Sequence, residues 1–274
     1  MTTRPRSEAR RLDAVVAAVS GLTRTQARAL ILAGKVHVDD APATKPGGTV
    51  PAGARVVVAE RPRFVSRGGE KLAGALTAFG FDPVGLDALD VGASTGGFTD
   101  ALLQAGARSV TALDVGYGQL AWALREDPRV RVVERTNFRL LGDDAFPNGF
   151  DLVVVDASFI SLRTIAARAV SYLRDGGAII ALVKPQFEAG RERLRGSGGV
   201  VRDAAVHAAV LHEVRAALAA QGLHVVDAAL STLRGPSGNV EFFFLLRREG
   251  PGIAASALDA LVERAHVAPK DGGA

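Results

Sequence analysis

The 274-residue chain contains no cysteine. That absence excludes a disulfide framework, a cysteine-held metal or iron–sulfur site, and a cysteine nucleophile. No apolar run exceeds six residues, whereas a membrane-crossing helix needs about 20. Residues 1–11 carry charge with no apolar stretch behind them, so no secretory signal is read there and a cytoplasmic protein is expected. The five histidines, His37, His207, His212, His224 and His266, show no ligand spacing. They read as surface or core filler, and no metal is expected. Lysine is scarce, with five among 33 basic residues. Apolar content is ample, 48% against 23% charged, enough for one large domain or two of unequal size.

The net charge of +4 hides an asymmetry. Residues 1–70 hold 12 Lys and Arg against 6 Asp and Glu, and residues 71–274 hold 21 against 23. A basic front on a slightly acidic body suits a nucleic-acid binder joined to an enzyme. Basic termini are also common where arginine is the favoured cation.

The chain divides near residue 60. In the front part, Leu12, Val15, Val16 and Val19 recur at helical spacing, and Ser20-Gly21 ends that helix. Thr23 and Gln26 form a capping box for a second helix, which Gly34 stops. Residues 35–38 and 55–58 read as strands, with Asp39-Asp40 as a turn. Arg24 and Arg28 lie one turn apart, and with Arg10, Arg11 and Lys35 they could form one basic surface for phosphates, or simply a solvated face. The order helix, turn, helix, Gly-Lys-Val-His-Val-Asp39 and late Val-rich strand resembles the ribosomal-protein-S4-like RNA-binding domain, over about residues 10–58. That resemblance implies a face that binds structured RNA. Residues 59–70 read as a linker, with Pro62 and a bend at Gly68-Gly69. Arg61, Arg63 and Arg67 continue the basic track.

From residue 71 strands alternate with helices. Strands are expected at 86–91, 109–115, 131–134, 151–156 and 178–183, and helices at 97–105, 118–124 and 164–173. A long helix at 203–221, capped by Asp203, turns Val206, Val210, Val214 and Leu218 inward. Strands at 225–233 and 240–246 follow, joined by Arg234-Gly-Pro-Ser-Gly-Asn239, too short for a crossover helix. That last pair is therefore antiparallel. Residues 253–266 suggest a closing helix and 268–274 a flexible tail. The fold class is α/β: a doubly wound, mostly parallel sheet with helices on both faces, closed by an antiparallel edge pair. This is the Rossmann-like arrangement of class I methyltransferases, preceded by a small α+β domain.

The candidate chemistry sits at strand ends, where open α/β sheets bind ligands. Asp90-Val-Gly92-Ala93-Ser94-Thr95-Gly96-Gly97-Phe98 links a strand to a helix. Its G-x-x-x-G-G spacing lacks the dinucleotide pattern G-x-G-x-x-G and suits a ligand without phosphates, such as S-adenosylmethionine. Asp114 ends the next strand, where an acid can take the ribose hydroxyls of a nucleoside cofactor. Asp156 and Lys184 end later strands, and Glu241 begins an antiparallel one at the same edge. Each could instead be a cap, a solvated terminus or an edge charge. Where arginine is the default, a lysine can mark a need for an amine that gives up its proton, which arginine cannot do.

Lys71, Asp156, Lys184 and Glu241 match the Lys-Asp-Lys-Glu tetrad of FtsJ-type RNA ribose 2′-O-methyltransferases. The whole chain resembles the TlyA family, an S4-like domain (1–58) fused by a linker (59–70) to that methyltransferase (71–267). Among the carrying motifs are Val65-Ser-Arg-Gly-Gly-Glu-Lys71, Asp114-Val-Gly-Tyr-Gly-Gln-Leu-Ala-Trp122, Glu134-Arg-Thr-Asn137, Val183-Lys-Pro-Gln-Phe-Glu188 and Gly235-Pro-Ser-Gly-Asn-Val-Glu241. The resemblance implies S-adenosylmethionine as cofactor, held by Asp90, residues 92–98, Asp114, Asn137 and Asp156. It implies cytidine 2′-O-methylation in ribosomal RNA (16S, 23S or both), with ribosomal RNA or subunits as partners and a monomeric enzyme. Gly190-Arg-Glu-Arg-Leu-Arg195 is longer and more arginine-rich than the family leads one to expect.

The expected reaction is an in-line displacement in which the ribose 2′-hydroxyl attacks the sulfonium methyl. Lys184, as neutral amine, would take the proton. A carboxylate at Asp156 favours the ammonium, so its expected role is orientation of Lys184 and of the cofactor, while Glu241 would hold Lys71 or the target ribose. Competing readings are a non-catalytic RNA-binding or assembly factor, which needs no tetrad, and a haemolysin-like membrane activity attached to some relatives. Methylation at cytosine C5 needs a cysteine that the chain lacks. Base N-methylation goes with Asp/Asn-Pro-Pro-aromatic, where this chain has Asp-Ala-Ser-Phe.

Overall fold

The computed structural model describes residues 10–59 and 62–267. Arg61 and the tail 268–274 lie outside the described residues. The chain divides into two units, Met1–Pro62 and Arg63–Ala274.

In the first unit Leu12, Val16, Ala27 and Ile31 recur at helical spacing and are all buried. They close β1 (Arg10–Arg11), α1 (Leu12–Ser20), α2 (Arg24–Leu32), β2 (Val36–Val38), β3 (Ala41–Pro42), β4 (Thr49–Val50) and β5 (Val56–Val58) around one small core. The capping box forms: Thr23 Oγ1 accepts from Gln26 N–H at 3.3 Å, and Gln26 Oε1 accepts from Thr23 N–H at 3.0 Å. Asp39 and Asp40 turn the chain at φ 47 and 64, the left-handed pair that a two-residue hairpin needs.

The second unit runs α3 (Arg67–Phe79), β6 (Asp87–Val91), α4 (Gly97–Gln104), β7 (Ser109–Leu113), α5 (Trp122–Arg125) and β8 (Val130–Val133). It continues with β9 (Phe150–Val155), α6 (Leu162–Val170), β10 (Leu173–Val183), α7 (Pro185–Glu188), α8 (Gly190–Arg193) and α9 (Ala204–Ala219). It ends with β11 (His224–Leu230), β12 (Phe242–Arg247) and α10 (Ala255–Val267). The sheet order is β11-β12-β10-β9-β6-β7-β8. β12 is antiparallel to both neighbours and the other pairings are parallel. The side-chain period of two sorts the core onto two faces. Val153, Val155, Ile179, Phe242 and Phe244 pack on one, and Leu152, Val154, Ile180, Phe243 and Leu245 on the other. Chain order reverses between β6 and β9, which opens a crevice at their carboxyl ends.

Two expectations change. Residues 67–70 are the first turn of α3, not linker. A Cβ on Gly69 would lie 2.3 Å from the Phe64 side chain, so this glycine serves close packing where a bend was expected. The helix expected at 118–124 shrinks to α5, because strand-end carboxylates claim the backbone ahead of it. Asp114 accepts from Gly116 N–H at 2.7 Å and Glu134 from Gly118 N–H at 3.0 Å. In the arginine-rich stretch 190–195, α8 occupies the first four residues.

Candidate active site

Level strand registers bring the strand-end residues to one edge. Val91 pairs with both Leu113 and Val155, so Gly92, Asp114 and Asp156 each follow directly on a strand end. Val183 pairs with Phe242, which sets Lys184 and Glu241 at the same edge.

Two clefts open there. The first, about 320 Å³, is lined by Lys71, Arg67, Arg234 and the loop residues Ala93, Thr95, Gly97 and Phe98. The second, about 490 Å³, is lined by Asp114, Asn137, Ser158 and apolar groups including Val115 and Ile160. Gly92, Ser94 and Asp156 line both. Gly92 sits at φ +88, and a Cβ there would lie 2.7 Å from the Asp156 carbonyl oxygen. The loop can approach β9 this closely only with glycine. Gly96 lines neither cleft and packs beneath Leu120 and Leu124 of the following segment. Asp114 braces the loop as well, accepting from Ser94 N–H at 2.8 Å.

The tetrad residues form two pairs. Lys71 Nζ donates to Glu241 Oε2 at 2.5 Å, with both residues buried. Lys184 Nζ lies 2.6 Å from Asp156 Oδ1 and donates to Ser158 Oγ at 2.8 Å. Lys71 and Asp156 line the first cleft, whereas Lys184 and Glu241 meet it through their partners.

Asp90, expected to touch a ligand, lines neither cleft. It is fully buried on the Ala88 side of β6 and accepts from Thr99 Oγ1 at 2.7 Å. Burial above all, with the charges of Asp156 and Asp114 behind it, pushes its carboxyl up to about 7. Asp114 and Asp156 supply the negative charge under the loop, while buried Asp90 holds its proton up to about 7. A narrow cradle, an acid at the second strand end and an acidic floor suit a cationic nucleoside, and S-adenosylmethionine is one.

Residues that the sequence did not single out stabilise this edge. Glu188 accepts from Ser161 Oγ at 2.7 Å and Leu162 N–H at 2.6 Å, tying the segment after Lys184 to the segment after Asp156. Buried Asn239 accepts from Val201 N–H at 2.9 Å and donates to Gly199 O at 3.1 Å, anchoring the segment after the arginine-rich stretch near Glu241. Glu188 and Asn239 stand inside the family motifs, next to tetrad residues. No local signal marks Ser158 as a partner of Lys184.

In the first unit, Arg10, Arg28 and Lys35 are exposed. Arg11 and Arg24 are also exposed but converge on buried Asp13, at 2.9 and 3.0 Å. The Arg11 guanidinium above all holds the Asp13 carboxyl well below the usual carboxylate range. In the second unit Arg63 stacks over Phe64 at 4.7 Å, and Arg67 donates to Arg234 O at 3.0 Å. Among the described residues, no cluster of His, Asp or Glu suits a metal ion, and no helix is long and apolar enough to cross a membrane.

The FtsJ-like methyltransferase family matches residues 64–248, and the S4 domain matches residues 10–56. The chain is 48% identical over 246 residues to the 16S/23S rRNA (cytidine-2′-O)-methyltransferase TlyA of Mycobacterium tuberculosis, covering 89% of this chain and 91% of that protein. It is 42% identical to YqxC of Bacillus subtilis, provisionally named an rRNA methyltransferase, covering 97% of each. A Streptococcus thermophilus protein of solved structure, provisionally called a hemolysin, superimposes with a TM-score of 0.73 at 40% identity. That match covers 94% of this chain and 96% of the other.

Proposed function

The chain belongs to the TlyA family of ribosomal-RNA methyltransferases, an S4 domain joined to an FtsJ-like methyltransferase, and from that premise we propose that it methylates a cytidine ribose 2′-hydroxyl in ribosomal RNA. The observation that carries this reading is the double place of Asp156, which lines both clefts and holds Lys184 Nζ at 2.6 Å. S-adenosylmethionine supplies the electrophilic methyl group. Loop residues 92–95 and 97 would hold its amino-acid end, Asp114 its ribose, and Val115, Asn137 and Ile160 the walls around its base.

Lys184, as the neutral amine, takes the proton of the 2′-hydroxyl while that oxygen attacks. Asp156 keeps Nζ in place and, lining both clefts, would also border the cofactor. Lys71 borders the cleft that receives the ribose, and Glu241 fixes it there with its charge balanced. Arg67 and Arg234, which line that cleft, would meet phosphate. The exposed Arg28 and Lys35 of the S4 unit supply sequence-independent grip on RNA.

The test is methyl-labelled S-adenosylmethionine with naked ribosomal RNA and with isolated subunits, followed by nucleoside mass analysis. Label on the ribose of a cytidine is expected. Label on a base, or none, overturns the reading. Full methyl transfer by Lys184→Ala overturns the choice of Lys184 as base.

A further inference from the structure

We propose that Ser158 is a positioning residue that aims the lone pair of Lys184 at the ribose hydroxyl. The inference rests on Lys184 being the base.

A neutral lysine amine is tetrahedral, with two N–H bonds, one carbon and one lone pair. It abstracts a proton only through the lone pair, so catalysis depends on where that vertex points. Asp156 alone cannot determine this, because one directed N–H leaves the second N–H and the lone pair to exchange between the two remaining vertices. The second acceptor removes that freedom. Among the described residues Nζ meets two oxygens, donating a hydrogen bond to Ser158 Oγ at 2.8 Å and pairing with the Asp156 carboxylate at 2.6 Å from Oδ1. Both lie on the loop that follows β9, two residues apart. When each takes one N–H, the last vertex holds the lone pair. The ring of Phe187, centred 5.9 Å from Nζ, offers only a weak competing contact.

That loop is itself held. Glu188 binds Ser161 and Leu162 at its far end, so Ser158 acts from a fixed backbone. Ser158 is also an exposed residue lining the second cleft, where exchange of its hydroxyl for hydrogen leaves no buried hole. A stability effect and a positioning effect are therefore separable.

In the step itself, the O2′–CH₃ bond forms as the S–CH₃ bond breaks, its electron pair going to sulfur. The hydroxyl proton moves to Nζ, which becomes ammonium with all three N–H bonds directed. Ser158 gains and loses no proton; its oxygen only accepts.

The experiment compares Ser158→Ala, Ser158→Thr and Lys184→Ala in the full chain, with methyl transfer to ribosomal RNA measured at saturating and limiting RNA. Positioned proton transfer contributes about 10²–10⁴-fold, and loss of one of two anchors is expected to cost kcat about tenfold or more. KM for RNA and affinity for S-adenosylmethionine should change less than about twofold, and Ser158→Thr should restore most of the rate. A second readout needs no cofactor. The chain has five lysines, so a ¹³Cε-lysine NMR spectrum is sparse. The two Lys184 Hε protons should be distinct in the unmodified protein and in Ser158→Thr, and averaged in Ser158→Ala.

Unchanged kcat, or an unchanged Lys184 signal, in Ser158→Ala overturns the inference while inactive Lys184→Ala leaves the base assignment standing. A rise in KM alone, or equal slowing in the alanine and threonine variants, also overturns it. Active Lys184→Ala removes the reading beneath it.

Discussion

Lys71 Nζ and Glu241 Oε2 meet at 2.5 Å across 170 positions of sequence, and neither residue is exposed to solvent beyond 7%. The pair joins α3 to the start of β12, with Thr232 Oγ1 donating to Glu70 O at 3.1 Å beside it. Breaking such a pair leaves one buried charge without compensation, at a cost of about 3–5 kcal/mol, whereas removing both charges together costs far less. Glu241→Ala and Lys71→Ala should each lower the urea midpoint strongly. The double variant Lys71→Met with Glu241→Leu should recover most of that stability and still fail to transfer methyl. A double variant no more stable than either single one contradicts the pairing as the source of the loss.

The parts of this site legible in sequence are those set by local pattern. Asp156 and Lys184 end apolar runs, Glu241 follows a Gly-Pro-Ser-Gly turn, and period-two strands carry all three to one edge. What stayed hidden depends on contacts between distant segments. Ser158 meets Lys184 across 26 positions and Asn239 meets Val201 across 38, and neither pattern nor propensity reports such pairings. Asp90 is an intermediate case. Its place in the strand is plain from the pattern, but its side follows from sharing a face with Ala88, two residues earlier, and that face packs against α4 through Thr99. The segment 118–121 is not helical because the carboxylates of Asp114 and Glu134 override its helical propensity.

Asp90 makes stability depend on pH in a direction opposite to most carboxylates. Burial pushes its carboxyl up to about 7, while in the unfolded chain an aspartate titrates near 3.9. Between those values the folded state holds a proton that the unfolded state has released, so stability falls as pH rises from about 4 to about 7. The full effect is up to about 4 kcal/mol. Asp90→Asn removes the ionisation. Urea denaturation at pH 5 and pH 8 should show the variant losing less stability than the parent over that interval. Equal losses in the two proteins would falsify the assignment.

The basic residues of the S4 unit should separate into two functional sets. Arg28 and Lys35 are exposed and have no carboxylate partner among the described ion pairs. Arg11 and Arg24 share the buried Asp13. Arg28→Ala and Lys35→Ala should each weaken binding to ribosomal RNA and flatten its log–log salt dependence by about 0.7–0.9 for each phosphate no longer neutralised, with thermal stability unchanged. Arg11→Ala and Arg24→Ala should lower the melting temperature of the unit as well, because each leaves Asp13 short of a partner. Deleting residues 1–58 should remove most of the salt dependence while leaving affinity for S-adenosylmethionine intact. Unchanged RNA affinity in that deletion contradicts the role of the unit.

Gly92 offers the most direct separation of the cofactor cradle from the rest of the fold. Its φ of +88 disfavours any other residue, and an added Cβ would stand 2.7 Å from the Asp156 carbonyl oxygen and 3.1 Å from the carbonyl carbon. Those are backbone atoms at the end of a central strand, so they cannot rotate aside as a flexible side chain would. Gly92→Ala must therefore move the loop, and the loop lines both clefts. The left-handed backbone alone costs a non-glycine residue about 1–3 kcal/mol. Calorimetric titration should show affinity for S-adenosylmethionine reduced at least tenfold, with methyl transfer lost in proportion, while RNA binding by the S4 unit is preserved. An alanine variant that binds the cofactor like the parent would show that residue 92 lies outside the cradle.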